Sequence, residues 1–270
     1  MVDLASLQPR LIYGTAWKKD ETAHWVQRAI ANGFRAIDTA GQPKHYHEAG
    51  VGEGIAASLS AEITREALYL QTKFTPLSGQ DPHRLPYDPH ATPAQQVEQS
   101  FASSLRNLRT DYVDGLVLHS PVSDPGIWQA MEAIVGRGGA RSLGISNCYH
   151  LAELRRLYQT ARVKPTVVQN RFYADTGYDR EIRAFCADHG IVYQSFWTLT
   201  ANPHLLTSPT LQSLGQRLRR SPAQILFRYL TQRGVVPLTG TRSEAHMRED
   251  LAIFEFTLDP ADCTAIDQLL

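Results

Sequence analysis

Cysteine is scarce in this chain. Its three residues, Cys148, Cys186 and Cys263, lie far apart and form no C-x-x-C pair. That argues against a disulfide framework and against a cysteine zinc site. Three buried or semi-buried free thiols are expected, in a cytoplasmic protein. An excess of one charge is also missing. Lys+Arg and Asp+Glu are 27 each, so the formal net charge is zero. Nothing electrostatic therefore points to nucleic acid or an acidic membrane as partner. No apolar run approaches the ~18 residues that span a bilayer. The opening MVDLASLQPR carries an acid and no apolar stretch, so no signal peptide is expected. Solenoid repeats and Gly/Ser linkers are absent as well, and residues 1–270 are expected to form one domain.

An alternation runs through the chain instead. Short apolar, β-branched runs cover Leu11–Thr15, Arg35–Thr39, Ala67–Lys73, Tyr112–His119, Ala140–Asn147, Thr166–Phe172, Ile191–Trp197 and Val235–Thr239. Segments with helical spacing separate most of them: Glu21–Asn32, Pro93–Leu108, Ile127–Gly136, Leu151–Ala161, Arg180–His189, Pro222–Gln232 and Ala245–Phe254. Nearly continuous apolar runs such as GLVLH are the mark of buried parallel strands. Gly33 and Gly190 read as helix stops, Asp179, Ser221 and Ser243 as N-caps, and Pro222 as a first-turn residue. Strand and helix alternating about eight times predicts an α/β fold, a single (β/α)8 TIM barrel, with an open doubly wound sheet as the rival. No Gly-x-Gly-x-x-Gly follows the first strand, which weakens that rival. One connection, Thr75–Thr92 (TPLSGQDPHRLPYDPHAT), is long, proline-rich and aperiodic. It follows the third strand and is expected to lie over the face where barrels carry their sites.

Polar residues at the C-terminal ends of barrel strands are the candidates for chemistry. Here they are Asp38, Lys73, His119, Ser146-Asn147, Gln169-Asn170, the aromatic pair Phe196-Trp197, and Leu238 to Arg242. Each alone has a structural explanation; their convergence on one rim is what counts. Asp38 would hold Lys73 charged, and a cationic lysine would lower the pKa of a nearby phenol. The nearest phenol is Tyr46, in AGQPKHYHEAG. It supplies a proton donor for a carbonyl oxygen that gains negative charge, and His119 could hold the same oxygen. No protein nucleophile accompanies them, so electrons would come from a cofactor. Ser146, Asn147 and Gln169 suit a carboxamide, Phe196 or Trp197 a stacked ring, and Arg242 with the following helix start an anion.

These residues resemble the aldo-keto reductase superfamily. The matching segments are GTAW (14–17), GFRAIDTA (33–40), VGEGI (51–55), LQTKF (70–74), DYVDGLVLHSP (111–121), GISN (144–147), VVQN (167–170) and GIVYQSF (190–196), in order along the chain. The resemblance implies NAD(P)H-dependent reduction of aldehydes and ketones to alcohols, with NADPH as cofactor and NADH as the alternative. It implies a catalytic tetrad of Asp38, Tyr46, Lys73 and His119. Cofactor contacts would fall on Ser146, Asn147, Gln169, Phe196, Trp197, Leu199, Thr239, Thr241, Arg242, His246, Glu249 and Asp250, and substrate contacts on Trp17 and Phe74. No metal is implied. The partner would be a small carbonyl or alcohol substrate, and the chain a monomer or weak homo-oligomer. There are departures. The family's D-T-A-x-x-Y would put its tyrosine at Pro43, three residues before Tyr46. The usual lysine after the last strand is Leu238, and the aromatics after the catalytic Lys and His are Thr75 and Ser120. A more open pocket is expected, walled by Trp17 and the proline-rich loop.

Two other readings fit parts of the sequence. The displaced tyrosine suits a catalytically weak nucleotide-binding barrel that acts as a sensor or partner protein. His45-Tyr46-His47 is an H-x-H after a barrel strand, a spacing used by metal-dependent hydrolases, but the later strand ends lack the further ligands.

Overall fold

Eight parallel strands close on themselves in the computed structural model, which describes residues 9–270. They are β1 (Ile12–Gly14), β2 (Ala36–Asp38), β3 (Tyr69–Phe74), β4 (Gly115–Leu118), β5 (Leu143–Ser146), β6 (Val167–Arg171), β7 (Val192–Phe196) and β8 (Val235–Thr239). Each pairs with its neighbour in sequence, and β8 returns to β1 through Tyr13 opposite Thr239. The expected (β/α)8 barrel is therefore the fold. The first ten residues, read for a leader, fall largely in the undescribed 1–8. No helix among the described residues is long and apolar enough to cross a membrane. Cys148, Cys186 and Cys263 are buried and unpaired.

The helices ring the barrel because each carries one apolar stripe. Helix Pro222–Gln232 buries Ile225, Leu226, Tyr229 and Leu230 and opens with a capping box between Ser221 and Gln224. Ser243 caps helix Glu244–Leu251, and Gly33, at φ 115°, ends helix Thr22–Asn32. Asp179 departs from its expected role. It makes no cap bond; its backbone sits at φ 51° and its buried Oδ2 accepts from Asn170 and Tyr193.

Four helices escaped the periodicity: Glu48–Ala56, the single turn Pro203–Leu206, Pro209–Leu218 and Pro260–Asp267. The first carries Gly50, Gly52 and Gly54, poor helix formers. Their purpose is close approach. A Cβ at Gly52 would stand 2.1 Å from the backbone oxygen of Asn107, and one at Gly54 2.6 Å from that of Ala23. The helix is wedged between Thr22–Asn32 and Pro93–Leu108, and its first residues set the chain that carries Tyr46.

Inside the barrel, alternation along β3, β6 and β7 turns Gln71, Gln169 and Gln194 inward. They bond to one another and to Asp38. Gln71 Nε2 donates to Asp38 Oδ1 (2.7 Å) and Gln194 Oε1 (2.9 Å); Gln169 Nε2 donates to the same two oxygens at 3.0 and 2.9 Å. Gln194 Nε2 returns a bond to Gln71 Oε1 at 3.1 Å.

Candidate active site

Asp38 ends β2 and Lys73 lies on the neighbouring β3, so parallel pairing puts both at the C-terminal mouth. Lys73 Nζ donates to both Asp38 oxygens at 2.6 Å and to the carbonyl of Thr39 at 2.8 Å. Both side chains are almost fully buried. Burial pulls the lysine pKa below its ordinary value, and the Asp38 charge pulls it back. Glu48 is buried behind this pair, bonded to Thr72 and Ser104, and burial raises its pKa.

Tyr46 reaches the pair despite its displaced position. Its ring centre lies 5.2 Å from Lys73 Nζ and 6.0 Å from the His119 ring, edge to face. His45 turns instead under Trp17, ring centres 4.0 Å apart, with Nδ1 2.8 Å from Gln42 Oε1. His47 is exposed at the start of helix Glu48–Ala56. One expectation needs correction. The Tyr46 pKa is raised, not lowered toward neutrality, first by burial and then by the Asp38 charge. The Lys73 charge does not offset these two effects. An ammonium has three N–H bonds, and Lys73 spends them on Asp38 and Thr39. The phenol faces an ion pair rather than a free cation, and it stays protonated.

His119 follows β4. Thr75 Oγ1 lies 2.6 Å from its Nδ1. A hydroxyl that donates to Nδ1 leaves the ring proton on Nε2. Burial and the Lys73 charge lower the His119 pKa to about 3, which keeps the ring neutral. Thr75 is itself buried, and its carbonyl accepts from Tyr87 at 2.8 Å. Tyr87 and Gln80 thereby staple the proline-rich loop to the mouth.

The remaining candidates divide. Asn147 stands at the end of β5 in a left-handed backbone (φ 54°), and its Nδ2 donates to the His119 carbonyl at 2.9 Å. Ser146 is buried and donates to the Gln169 carbonyl at 2.7 Å. Phe196 ends β7 half-buried, Trp197 is exposed at φ 55°, and Leu199 packs against the core. Gln169 spends its amide nitrogen on Asp38 and Gln194 rather than keeping it for a ligand. Trp17 is exposed on the rim. Phe74, expected as a substrate wall, is turned away. It lies next to inward Lys73 on β3, so alternation points it outward, where it packs 5.7 Å from Tyr87. Thr239 and Asp250 also face inward to each other, Oγ1 donating to Oδ2 at 2.7 Å. Burial raises the Asp250 pKa to about 6. His246 and Glu249 are exposed on the following helix, Thr241 accepts from the Ser243 amide, and Arg242 holds the Trp17 carbonyl and Glu21.

Three residues at the mouth went unremarked or were noted only for their difference: Lys18, Thr75 and Arg171. Lys18 is 2% exposed, and its one recorded acceptor is the Gly240 carbonyl at 2.8 Å. Burial and Arg242 pull its pKa to about 8. Its place directly after GTAW, in the loop that leaves β1, was the available signal.

The model of the Aldo/keto reductase family matches residues 10–270. The chain belongs to this family. As a member it is an oxidoreductase, and similar aldo-keto reductases bear that out. Glyoxal reductase of Bacillus subtilis is 31% identical over 252 residues, covering 93% of this chain and 84% of that protein. Methylglyoxal reductase DkgA of Yersinia pestis is 30% identical over 272 residues, covering 97% and 89%. Among solved structures, an aldo/keto reductase from Brucella melitensis has a TM-score of 0.82 at 30% identity, over 97% of this chain and 95% of that one. The Bombyx mori aldo-keto reductase AKR2E4, solved in complex with NADP, has a TM-score of 0.81 at 28% identity, over 97% and 89%.

Proposed function

We propose that this one-domain barrel reduces aldehydes and ketones to alcohols, with NADPH as electron donor. The observation that carries the reading is the meeting of the Asp38–Lys73 ion pair, Tyr46 and His119 in one mouth. The residues present fit a dinucleotide. Lys18 is a buried ammonium with no carboxylate partner among the described residues, beside Arg242, which leaves positive charge at the β8 exit for phosphate. Phe196 offers a ring face, and Ser146 and Asn147 offer neutral polar groups two strands away. When bound, reduced nicotinamide supplies the two electrons as hydride.

The chain's own residues do the rest. His119, neutral and fixed by Thr75, keeps Nε2–H available to a carbonyl oxygen. Tyr46 remains a phenol at neutral pH and gives its proton to the oxygen as negative charge develops there. The phenolate so formed would sit beside the Lys73–Asp38 pair, whose ammonium lies 5.2 Å from the ring centre, and would take back a proton readily. The relatives named for glyoxal and methylglyoxal reduction make these 2-oxoaldehydes the first substrates to try. The test follows loss of NADPH absorbance with methylglyoxal. Tyr46→Phe is expected to cut kcat by at least about 10²-fold with the NADPH Kd nearly unchanged. Near-normal turnover in that variant overturns the acid assignment. Tight NADPH binding with no carbonyl reduced by the wild type overturns the enzymatic reading.

A further inference from the structure

Arg171, the last residue of β6, stands apart from the other charged groups of the mouth. Its guanidinium lies 4.2 Å over the Trp197 ring and 5.1 Å from the centre of the Tyr173 ring. Among the described residues no carboxylate lies within 4.0 Å of the guanidinium, and none of the guanidinium N–H groups meets an acceptor. Its Nε is buried without a partner. A guanidinium stacked on rings loses hydration from its faces but keeps its donors in the plane, pointing past the ring edges. Held this way it has little entropy left to lose on binding.

Its position is functional. Gln169, two residues earlier on the same face of β6, donates to Asp38. Arg171 therefore stands about 7 Å further toward the mouth, at ~3.3 Å per residue. A short polar chain links it to His119. The Arg171 amide donates to Tyr149 Oη at 3.1 Å, Tyr149 donates to Asn147 Oδ1 at 3.2 Å, and Asn147 donates to the His119 carbonyl at 2.9 Å. Both ends of the cradle carry backbone that non-glycine residues seldom adopt: Asn147 at φ 54° and Trp197 at φ 55°. Such conformations persist where the surroundings demand them, and they cluster at ligand sites.

We infer that Arg171, clamped between Trp197 and Tyr173, is a receptor for one oxyanion of a molecule bound in the mouth. This rests on the proposed carbonyl reduction only for the ligand's place. The oxyanion is the carboxylate or phosphate of an acidic substrate, or a phosphate of the cofactor. The two sources are separated by the probes.

Intrinsic tryptophan fluorescence reads binding without turnover, because Trp197 carries the guanidinium on its face. The probes are 4-hydroxybutyrate, its neutral counterpart 1,4-butanediol, NADPH and NADH. They are titrated into wild type, Arg171→Met and Arg171→Lys, each checked by its thermal midpoint. A substrate subsite predicts that wild type prefers 4-hydroxybutyrate over 1,4-butanediol by about ten-fold, the size of one charge-assisted contact. Arg171→Met should erase that preference by weakening only the acid, and Arg171→Lys should keep part of it. A cofactor subsite predicts about ten-fold weaker NADPH and NADH in Arg171→Met with both alcohols unchanged. The inference is overturned if Arg171→Met, with an unchanged thermal midpoint, binds all four probes as wild type does. It is equally overturned if charged and neutral probes weaken together, since Arg171 is then a pillar for Trp197. Absence of NADPH oxidation with any aldehyde would count against the proposed function and leaves these titrations readable.

Discussion

At the scale of single residues, the site works by committing donors. Lys73 gives all its N–H bonds to Asp38 and Thr39, so its influence on Tyr46 is electrostatic and shared. Thr75 Oγ1 sits 2.6 Å from His119 Nδ1, where a donating hydroxyl selects the Nε2–H tautomer. Thr75→Val should lower kcat about ten-fold by releasing that selection, while Thr75→Ser, which keeps the hydroxyl, should recover most of it. Steady-state kinetics of the two variants check this; equal loss in both would make the threonine a packing residue. Residue types at strand ends made Asp38, Lys73 and His119 legible in sequence, because position on a barrel strand fixes position at the mouth. Tyr46 was legible only as the nearest phenol, since its loop geometry depends on contacts that no spacing encodes. The rise in its pKa was hidden for the same reason: it comes from the burial that this loop imposes and from the Asp38 charge beside it. Arg171 was invisible because stacking on Trp197 and Tyr173 requires the two strand exits to be side by side.

At the scale of elements, the expected strands are all present, most of them shorter than their apolar runs; β1 keeps Ile12–Gly14 out of Leu11–Thr15, β8 matches Val235–Thr239, and β3 runs one residue past Lys73 to Phe74. Helix Glu48–Ala56 was not legible, since glycines that weaken a helix in isolation are what allow this one to fit. Gly52→Ala should destabilise the fold by about 1–3 kcal/mol or more, as overpacking against backbone cannot relax through a side chain. A denaturant melt measures it, and a loss under ~0.5 kcal/mol would show that the helices part easily. The Thr239–Asp250 pair ties β8 to its helix. The Asp250 pKa is raised from 3.8 to about 6, so the folded state holds its proton more tightly than the unfolded one. The stabilisation is complete below the unfolded value and is lost as pH rises through the folded one. A displacement of this size is worth roughly 2–3 kcal/mol. Asp250→Asn should therefore gain stability relative to wild type at pH 7 and lose that advantage near pH 4. Urea melts at the two pH values check the crossing.

At the scale of the whole molecule, the interior is not a uniform apolar filling. Gln71, Gln169 and Gln194 form a buried amide layer across β3, β6 and β7 that ends on Asp38 of β2. Buried amide networks stabilise only while every member is satisfied. Gln194→Met, close in volume, should strand donors and acceptors on two neighbours and cost roughly 2–4 kcal/mol. It should also lower kcat, because Asp38 Oδ1 depends on that layer for its orientation. Equilibrium unfolding and steady-state rates on the same preparation test both, and a stable, fully active variant would refute the coupling. The layer has one more consequence. Asp38 Oδ1 is gripped from β3 twice and from β6 once, so elements on opposite sides of the ring jointly aim one oxygen. A slide of one residue along either strand would swing its amide or ammonium to the outer face. Catalytic competence is thus a report on closure itself: a refolding chain whose later strands have not yet docked owns every reactive group but has only the β3 part of the grip on that oxygen.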